Sequence, residues 1–263
     1  MKLDLYQIDS FTDTLFKGNP AAVCPLVHWL PDAVMQQIAL ENNLSETAFF
    51  VEESDVFTIR WFTPTTEVDL CGHATLAAAF VIFNCLDFKE DIIVFNTLHS
   101  GQLRVRKHED VIIMDFPTDK IEQLILSDEL IGCTNQIPIE AWKGKDDMML
   151  VFKNQEQISQ MIPDLSKIAE LEARGLIVTA PGDEVDFVSR FFGPQSGVNE
   201  DPVTGSAHTT LTPYWAKKLG KKSLHAKQLS SRTGELHCTL HEDRVRLSGQ
   251  AQLYLKGSCF LNE

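Results

Sequence analysis

Two stretches of the sequence bring polar tips to glycine-containing helix starts. They are Leu70-Cys71-Gly72-His73-Ala74-Thr75 and Asp201-Pro202-Val203-Thr204-Gly205-Ser206-Ala207-His208. Each follows a strand-like run that ends in an aromatic residue and a proline, Trp61-Phe62-Thr63-Pro64 and Phe191-Phe192-Gly193-Pro194. Glycine lets the backbone approach a ligand closely, and the first amides of a helix offer unpaired donors with a partial positive charge. Such a terminus cradles a carboxylate or phosphate. Taken singly, Gly72 and Gly205 do no more than end loops, and His73 and Ser206 are ordinary caps. Their matched placement with unlike polar tips favours one small-molecule site at a domain interface. Glu46, in Asn43-Leu44-Ser45-Glu46-Thr47-Ala48-Phe49-Phe50, stands where a helix gives way to an apolar strand. Its apolar neighbours are expected to raise its pKa and make it a proton carrier near neutral pH; the plain alternative is a surface glutamate. A fourth motif, Asp9-Ser10-Phe11-Thr12 followed by Gly18-Asn19-Pro20-Ala21-Ala22-Val23, has strong turn chemistry and reads equally well as a structural loop.

The elements that must position these residues are mostly strands. Alternation marks 3–10, 46–52, 56–62, 92–97, 102–106, 111–116, 175–179, 187–192, 234–241 and 244–248. Helical patterns fit 31–41, 74–83, 165–172 and 206–219, with Pro213 expected to kink or restart the last of them. Strands in this majority, with hairpin-like links, predict an α+β fold with antiparallel or mixed sheet. The sequence also repeats. Displaced by 130 residues, 38–68 aligns without a gap on 168–198, matching Phe57 to Phe187, Arg60 to Arg190, Phe62 to Phe192 and Pro64 to Pro194. After a three-residue offset Gly72-His73-Ala74 meets Gly205-Ser206-Ala207, while Glu46 faces Leu176. Two similar domains are expected, 1–117 and 118–250, with no flexible linker between them.

The whole chain has 263 residues and a formal charge of −14, which disfavours nucleic acid and anionic membrane surfaces. Its N-terminus alternates like a strand without an apolar signal core, and the nearly apolar run 74–83 is too short to cross a bilayer. A cytoplasmic location is the expectation. The six cysteines are widely spaced and read as free buried thiols.

Together the four motifs resemble the PhzF-like (phenazine biosynthesis-like) family of cofactor-free isomerases, which share the diaminopimelate epimerase fold. The resemblance covers most of the chain. It implies two pseudo-symmetric α+β domains, each a curved mixed or antiparallel sheet around a central helix, with the site in the cleft between them. It also implies that 251–263 pairs back into the first domain, and it favours a homodimer. Carried over by motif, Glu46 corresponds to the acid/base of Ser-Glu-Thr, His73 to the histidine of Gly-His-Ala, and Asp201 and Ser206 to the polar residues of Asp-Pro-Val-Thr-Gly-Ser. Gly72, Ala74, Gly205, Ala207, Asn19 and Cys71 are the candidate substrate contacts. Diaminopimelate epimerases use one cysteine from each half. Here Cys71 lies near the first position and the second loop has no thiol, so two-cysteine racemisation is disfavoured and Cys71 reads as a small packed residue. The implied reaction moves a proton on a small carboxylate substrate, without metal or cofactor.

Two other chemistries fit less well. His237 and His241 have an HxxxH spacing, but zinc ligation at i, i+4 needs a helix and this stretch alternates as a strand. A Cys71–His73 hydrolase pair is disfavoured because side chains two residues apart at a helix start are expected to diverge. A catalytically silent binding protein of the same fold is the reading from a different class. No nucleotide loop of the GxxxxGK[ST] or GxGxxG kind is present.

Overall fold

Residues 1–53 and 56–261 are described in a computed structural model, and their contacts group into two units. Ser54, Asp55, Asn262 and Glu263 lie outside the described residues, the last two at the end of the segment expected to pair back. The first unit is Met1–Asp115 with Ser248–Glu263, and the second is Phe116–Leu247.

The first unit begins β1 (Lys2–Ser10), β2 (Asn19–Leu26), α1 (Asp32–Asn42), β3 (Glu46–Glu53), β4 (Val56–Phe62) and β5 (Glu67–Val68). It continues α2 (Gly72–Cys85), β6 (Ile92–Asn96), β7 (Gln102–His108) and β8 (Val111–Pro117). The second runs β9 (Glu122–Leu124), α3 (Asp128–Ile131), β10 (Glu140–Lys143), β11 (Asp147–Val151), α4 (Gln155–Ser159) and α5 (Leu165–Glu170). There follow β12 (Gly175–Pro181), β13 (Phe187–Gly193), β14 (Val198–Asp201), α6 (Gly205–Leu219), β15 (Ser223–Gln228), β16 (Gly234–His241) and β17 (Arg244–Gly249). The last strand, β18 (Ala251–Phe260), pairs antiparallel with β1 in the first unit.

The units repeat one topology. In the first, β1 is antiparallel to β2, β2 parallel to β3, β3 antiparallel to β4, and β4 antiparallel to β5 and parallel to β6. In the second, β10, β11, β12, β13, β14 and β15 follow the same scheme in the same order. The fold is therefore α+β, built on mixed sheet with few helices. The central strands β2 and β12, and β3 from Thr47 to Val51, are buried, because a strand covered on both faces needs mostly apolar residues.

Each unit centres on one long helix. α2 is buried from Gly72 through Ala79, so its small apolar run is a core helix and not a span. No helix among the described residues is long and apolar enough to cross a membrane. α6 does not kink apart or restart at Pro213; it is one helix from Gly205 to Leu219. Proline has no amide to give the carbonyl of Thr209, and the amide of Asp119 takes that place at 3.3 Å. Trp215 stacks on Phe187 and donates from Nε1 to Thr179 Oγ1, which fixes α6 against its own sheet.

The thiol prediction is modified: all six cysteines are free, but Cys85 and Cys259 are only half-buried. In β16 Leu236 and Cys238 face inward while His237 and His241 are exposed, so the HxxxH spacing lies on a strand.

Candidate active site

In the first unit, hydrogen-bond register brings the motif residues to one end of the sheet. Asn19 opens β2, Glu46 opens β3, and the parallel pairing sets Ala21 opposite Glu46. The turn that delivers Glu46 is made by Asn43, whose left-handed φ of 48° ends α1. Helix α2 starts at the same place, and its N-cap Cys71 supplies no side-chain hydrogen bond. No side-chain oxygen caps the first-turn amides, although the Ala74 amide lies close enough to the Cys71 sulfur to favour its thiolate. His73, in that first turn, is buried; its carbonyl accepts a hydrogen bond from Ser10 Oγ at 2.8 Å.

The imidazole of His73 has a different partner on each side. Asn19 Nδ2 lies 3.2 Å and Cys71 Sγ 3.5 Å from Nδ1. Glu46 Oε2 lies 3.1 Å from Nε2, within ion-pair range, yet neither buried atom completes an aligned hydrogen bond in the protein. In the neutral ring, an amide nitrogen facing Nδ1 places the proton on Nε2, toward Glu46. Burial alone would lower the pKa of His73; its interactions with Cys71 and Glu46 outweigh that and hold it well above the ordinary histidine value. Burial also pushes the Cys71 thiol up to about 11, so at neutral pH it is a thiol.

One expectation is corrected here. Cys71 and His73 do not diverge: Cys71 is extended, with φ −140° and ψ 113°, and this turns its sulfur back onto the ring. The donor atoms of Glu46, Cys71 and His73 all fall within 4.8 Å of one another, so they form the set that would ligate an ion. An ion using Nδ1 would have to displace the Asn19 amide from its present place.

In the second unit the corresponding loop runs from Asp201, at the end of β14, to the first turn of α6. Thr204 Oγ1 donates to Asp201 Oδ2 at 2.6 Å, and Ser230 Oγ donates to the Pro202 carbonyl at 2.8 Å. Gln228, fully buried at the end of β15, binds the loop on three atoms. Its Oε1 accepts from the Thr204 amide at 2.9 Å, and its Nε2 donates to the Asp201 carbonyl at 2.8 Å and to Thr204 Oγ1 at 3.1 Å. Ser206 Oγ accepts from Arg174 Nη2 at 2.9 Å.

The repeat extends to these supports. Arg60 grips Glu67 through Nε and Nη2 and lies over Phe62; Arg190 grips Glu200 in the same way and lies over Phe192. Each arginine anchors the short strand that leads into the helix start. Thr75 Oγ1 donates to the Cys71 carbonyl, and at the matching positions His208 Nδ1 bonds the Thr204 carbonyl at 2.8 Å. Gln228 and Arg174 were not singled out from the sequence, where each is one polar residue at a strand end, and Ser10 entered only as part of the fourth motif. The only available signal was that Arg174 aligns two residues ahead of Leu176, the counterpart of Glu46.

These units, each with a buried helix start and charged or polar groups against it, build an α+β protein with an epimerase-like fold. At the level of fold, it matches a hydroxyproline epimerase from Agrobacterium vitis, solved with bound trans-4-hydroxy-L-proline, at a TM-score of 0.63 and 7% identity over 98% of this chain and 92% of that one. The family model for phenazine biosynthesis-like proteins matches residues 8–257, and the chain belongs to that family. An uncharacterized isomerase of Pseudomonas aeruginosa is 48% identical over 99% of this chain and 100% of its own length. A crystal structure of a PhzF-family phenazine biosynthesis protein from Enterococcus faecalis has a TM-score of 0.96 and 47% identity, over 99% of this chain and 100% of that one. Curated relatives are thus named isomerases, and isomerase is the class this membership supports.

Proposed function

We propose that the protein is an isomerase that needs no cofactor and moves a proton on a small carboxylate-bearing substrate, with Glu46 as the acid/base. The observation that carries this reading is the Glu46 carboxylate 3.1 Å from a buried histidine at an uncapped helix start. Glu46 takes a proton from a carbon activated by the substrate's unsaturation or carboxylate and returns it elsewhere on the same molecule. His73, held on its other face by Asn19, supports the carboxylate and orients the substrate. The first-turn amides at Gly72, Ala74, Gly205 and Ala207 hold the substrate carboxylate and the negative charge that develops in the transition state. Asp201 and Ser206 are proposed to serve the same substrate, Asp201 orienting it and Ser206 donating a hydrogen bond. Asn19 and Cys71 act behind His73, on the evidence of their contacts to its Nδ1. A homodimer is proposed from family membership.

NMR in D₂O with a panel of small carboxylic acids, amino acids and cyclic unsaturated acids included, tests the reaction class. Deuterium entering a carbon position supports proton transfer. Shifted ligand signals with no exchange over long incubation identify a silent binding protein and refute it.

A further inference from the structure

The alignment that sets Glu46 against Leu176 sets Leu44 against Arg174, so each half carries one charged side chain where the same strand opens. The strands are equivalent by pairing, since β3 and β12 are each parallel to the preceding strand and antiparallel to the next. Each side chain also reaches the second residue of its own unit's central helix. Glu46 lies against His73 of α2, and Arg174 Nη2 bonds Ser206 of α6. One fold device thus carries an acid in the first unit and a guanidinium in the second.

Arg174 is built in, not draped on the surface. Its Nε donates to Asp147 Oδ1 at 2.9 Å, Nη2 donates to Asp147 Oδ2, and the guanidinium lies 5.5 Å from the Phe191 ring centre. Asp147 is almost fully buried, at 3% exposure, while the Arg174 side chain keeps 37%. A guanidinium only donates. The Ser206 oxygen therefore accepts from Arg174 on one lone pair and keeps its proton to donate.

We propose that Arg174 is a positioning residue that orients the Ser206 hydroxyl to donate and sets the site's preference for an anionic carboxylate over the neutral amide. This rests on the reading of Ser206 as a substrate contact. The guanidinium, held in place by Asp147, polarises the hydroxyl, and a polarised donor bonds an anion more strongly than a neutral group. A lysine at this position would keep the charge but not the fork that holds Asp147 and Ser206 together.

The test uses the full-length protein and the acids of the D₂O panel that the wild type labels, each paired with its carboxamide. For Arg174→Met the expected result is a KM increase of about ten- to a hundredfold, the scale of a lost charged hydrogen bond, with kcat changed less than about threefold. Acid-over-amide selectivity falls by the same factor. In the Ser206→Ala background the same substitution is expected to change KM less than about twofold, because the route through Ser206 is already gone. Arg174→Lys recovers part of the selectivity, and Asp147→Asn, which loosens the clamp, loses part of it. If Arg174→Met leaves Asp147 uncompensated and does not fold, the Lys and Asn variants decide. Additive effects of Arg174 and Ser206, a loss confined to kcat, or unchanged selectivity overturn the inference. Glu46→Gln separates the failures: loss of labelling there together with an additive Arg174–Ser206 cycle refutes this inference alone, and a wild type that labels none of the acids refutes the underlying reading and this inference with it.

Discussion

His208 makes the second unit sensitive to acid by an amount that follows from its surroundings. The ring lies fully buried in the first turn of α6, near Phe187, with Nδ1 on the Thr204 carbonyl and Nε2 without a partner. A carbonyl only accepts, so the proton of the neutral ring is on Nδ1 and the lone pair on Nε2. Protonating Nε2 would bury a charge with nothing to balance it. Burial therefore pushes the pKa from 6.5 down to about 4, against the smaller pull of the Thr204 carbonyl. The unfolded chain binds this proton below about pH 6.5 and the folded chain does not until about pH 4. Stability is thus complete above neutrality and declines as pH falls through that window, by roughly 3 kcal/mol in total. Other groups also titrate there, so the assay is a difference. Urea unfolding of the wild type and His208→Asn, followed by tryptophan fluorescence at intervals from pH 7.5 to pH 4, isolates the single group. Asparagine keeps a donor for the Thr204 carbonyl and cannot titrate. The wild type is expected to lose roughly 3 kcal/mol relative to the variant between pH 7 and pH 4. Parallel stability curves, or a wild type that gains on the variant as acid is added, would refute the reasoning.

Two further predictions concern residues around the motifs. Gln228→Met keeps the side-chain size but leaves the buried Thr204 amide and the Asp201 carbonyl without Gln228, and is expected to cost about 2–4 kcal/mol in urea unfolding. It should also slow deuterium labelling, since the loop before α6 loses its anchor. Cys71→Ala is expected to keep kcat within about threefold, because a thiol raised to about 11 is not the nucleophile, and wild-type Cys71 should resist alkylation at pH 7.5 in the folded state. A loss of several hundredfold in Cys71→Ala would reinstate thiol chemistry.

The parts of the fold that announced themselves were those with a clean period. Strands such as 56–62 and 234–241 turn alternate residues toward half-buried or exposed positions, so their pattern survives in the sequence. β2 did not show: it is buried almost throughout and contains Pro20 and Pro25, so it has neither alternation nor unbroken ladder donors. The short strands β5, β9, β10 and β14 hold too few residues to show a period. Pro213 misled for a specific reason, because the carbonyl it orphans is satisfied from Asp119, far away in sequence. The motifs pointed to Glu46 and His73, and the structure brings those two together. What lay out of reach was the supporting layer. Gln228 and Arg174 act through hydrogen bonds that depend on register between distant strands, which no local pattern encodes. The contact of Cys71 with His73 was likewise hidden in one extended residue at the cap.

The central claim, that Glu46 carries the proton, is tested most directly by Glu46→Gln. Glutamine has nearly the same shape and can still approach His73 Nε2, but it cannot take a proton from carbon. Deuterium wash-in on an acid that the wild type labels should fall by about 10²–10⁴-fold, with the melting temperature within a few degrees of the wild type. Labelling at the wild-type rate by a folded Glu46→Gln protein would contradict the account.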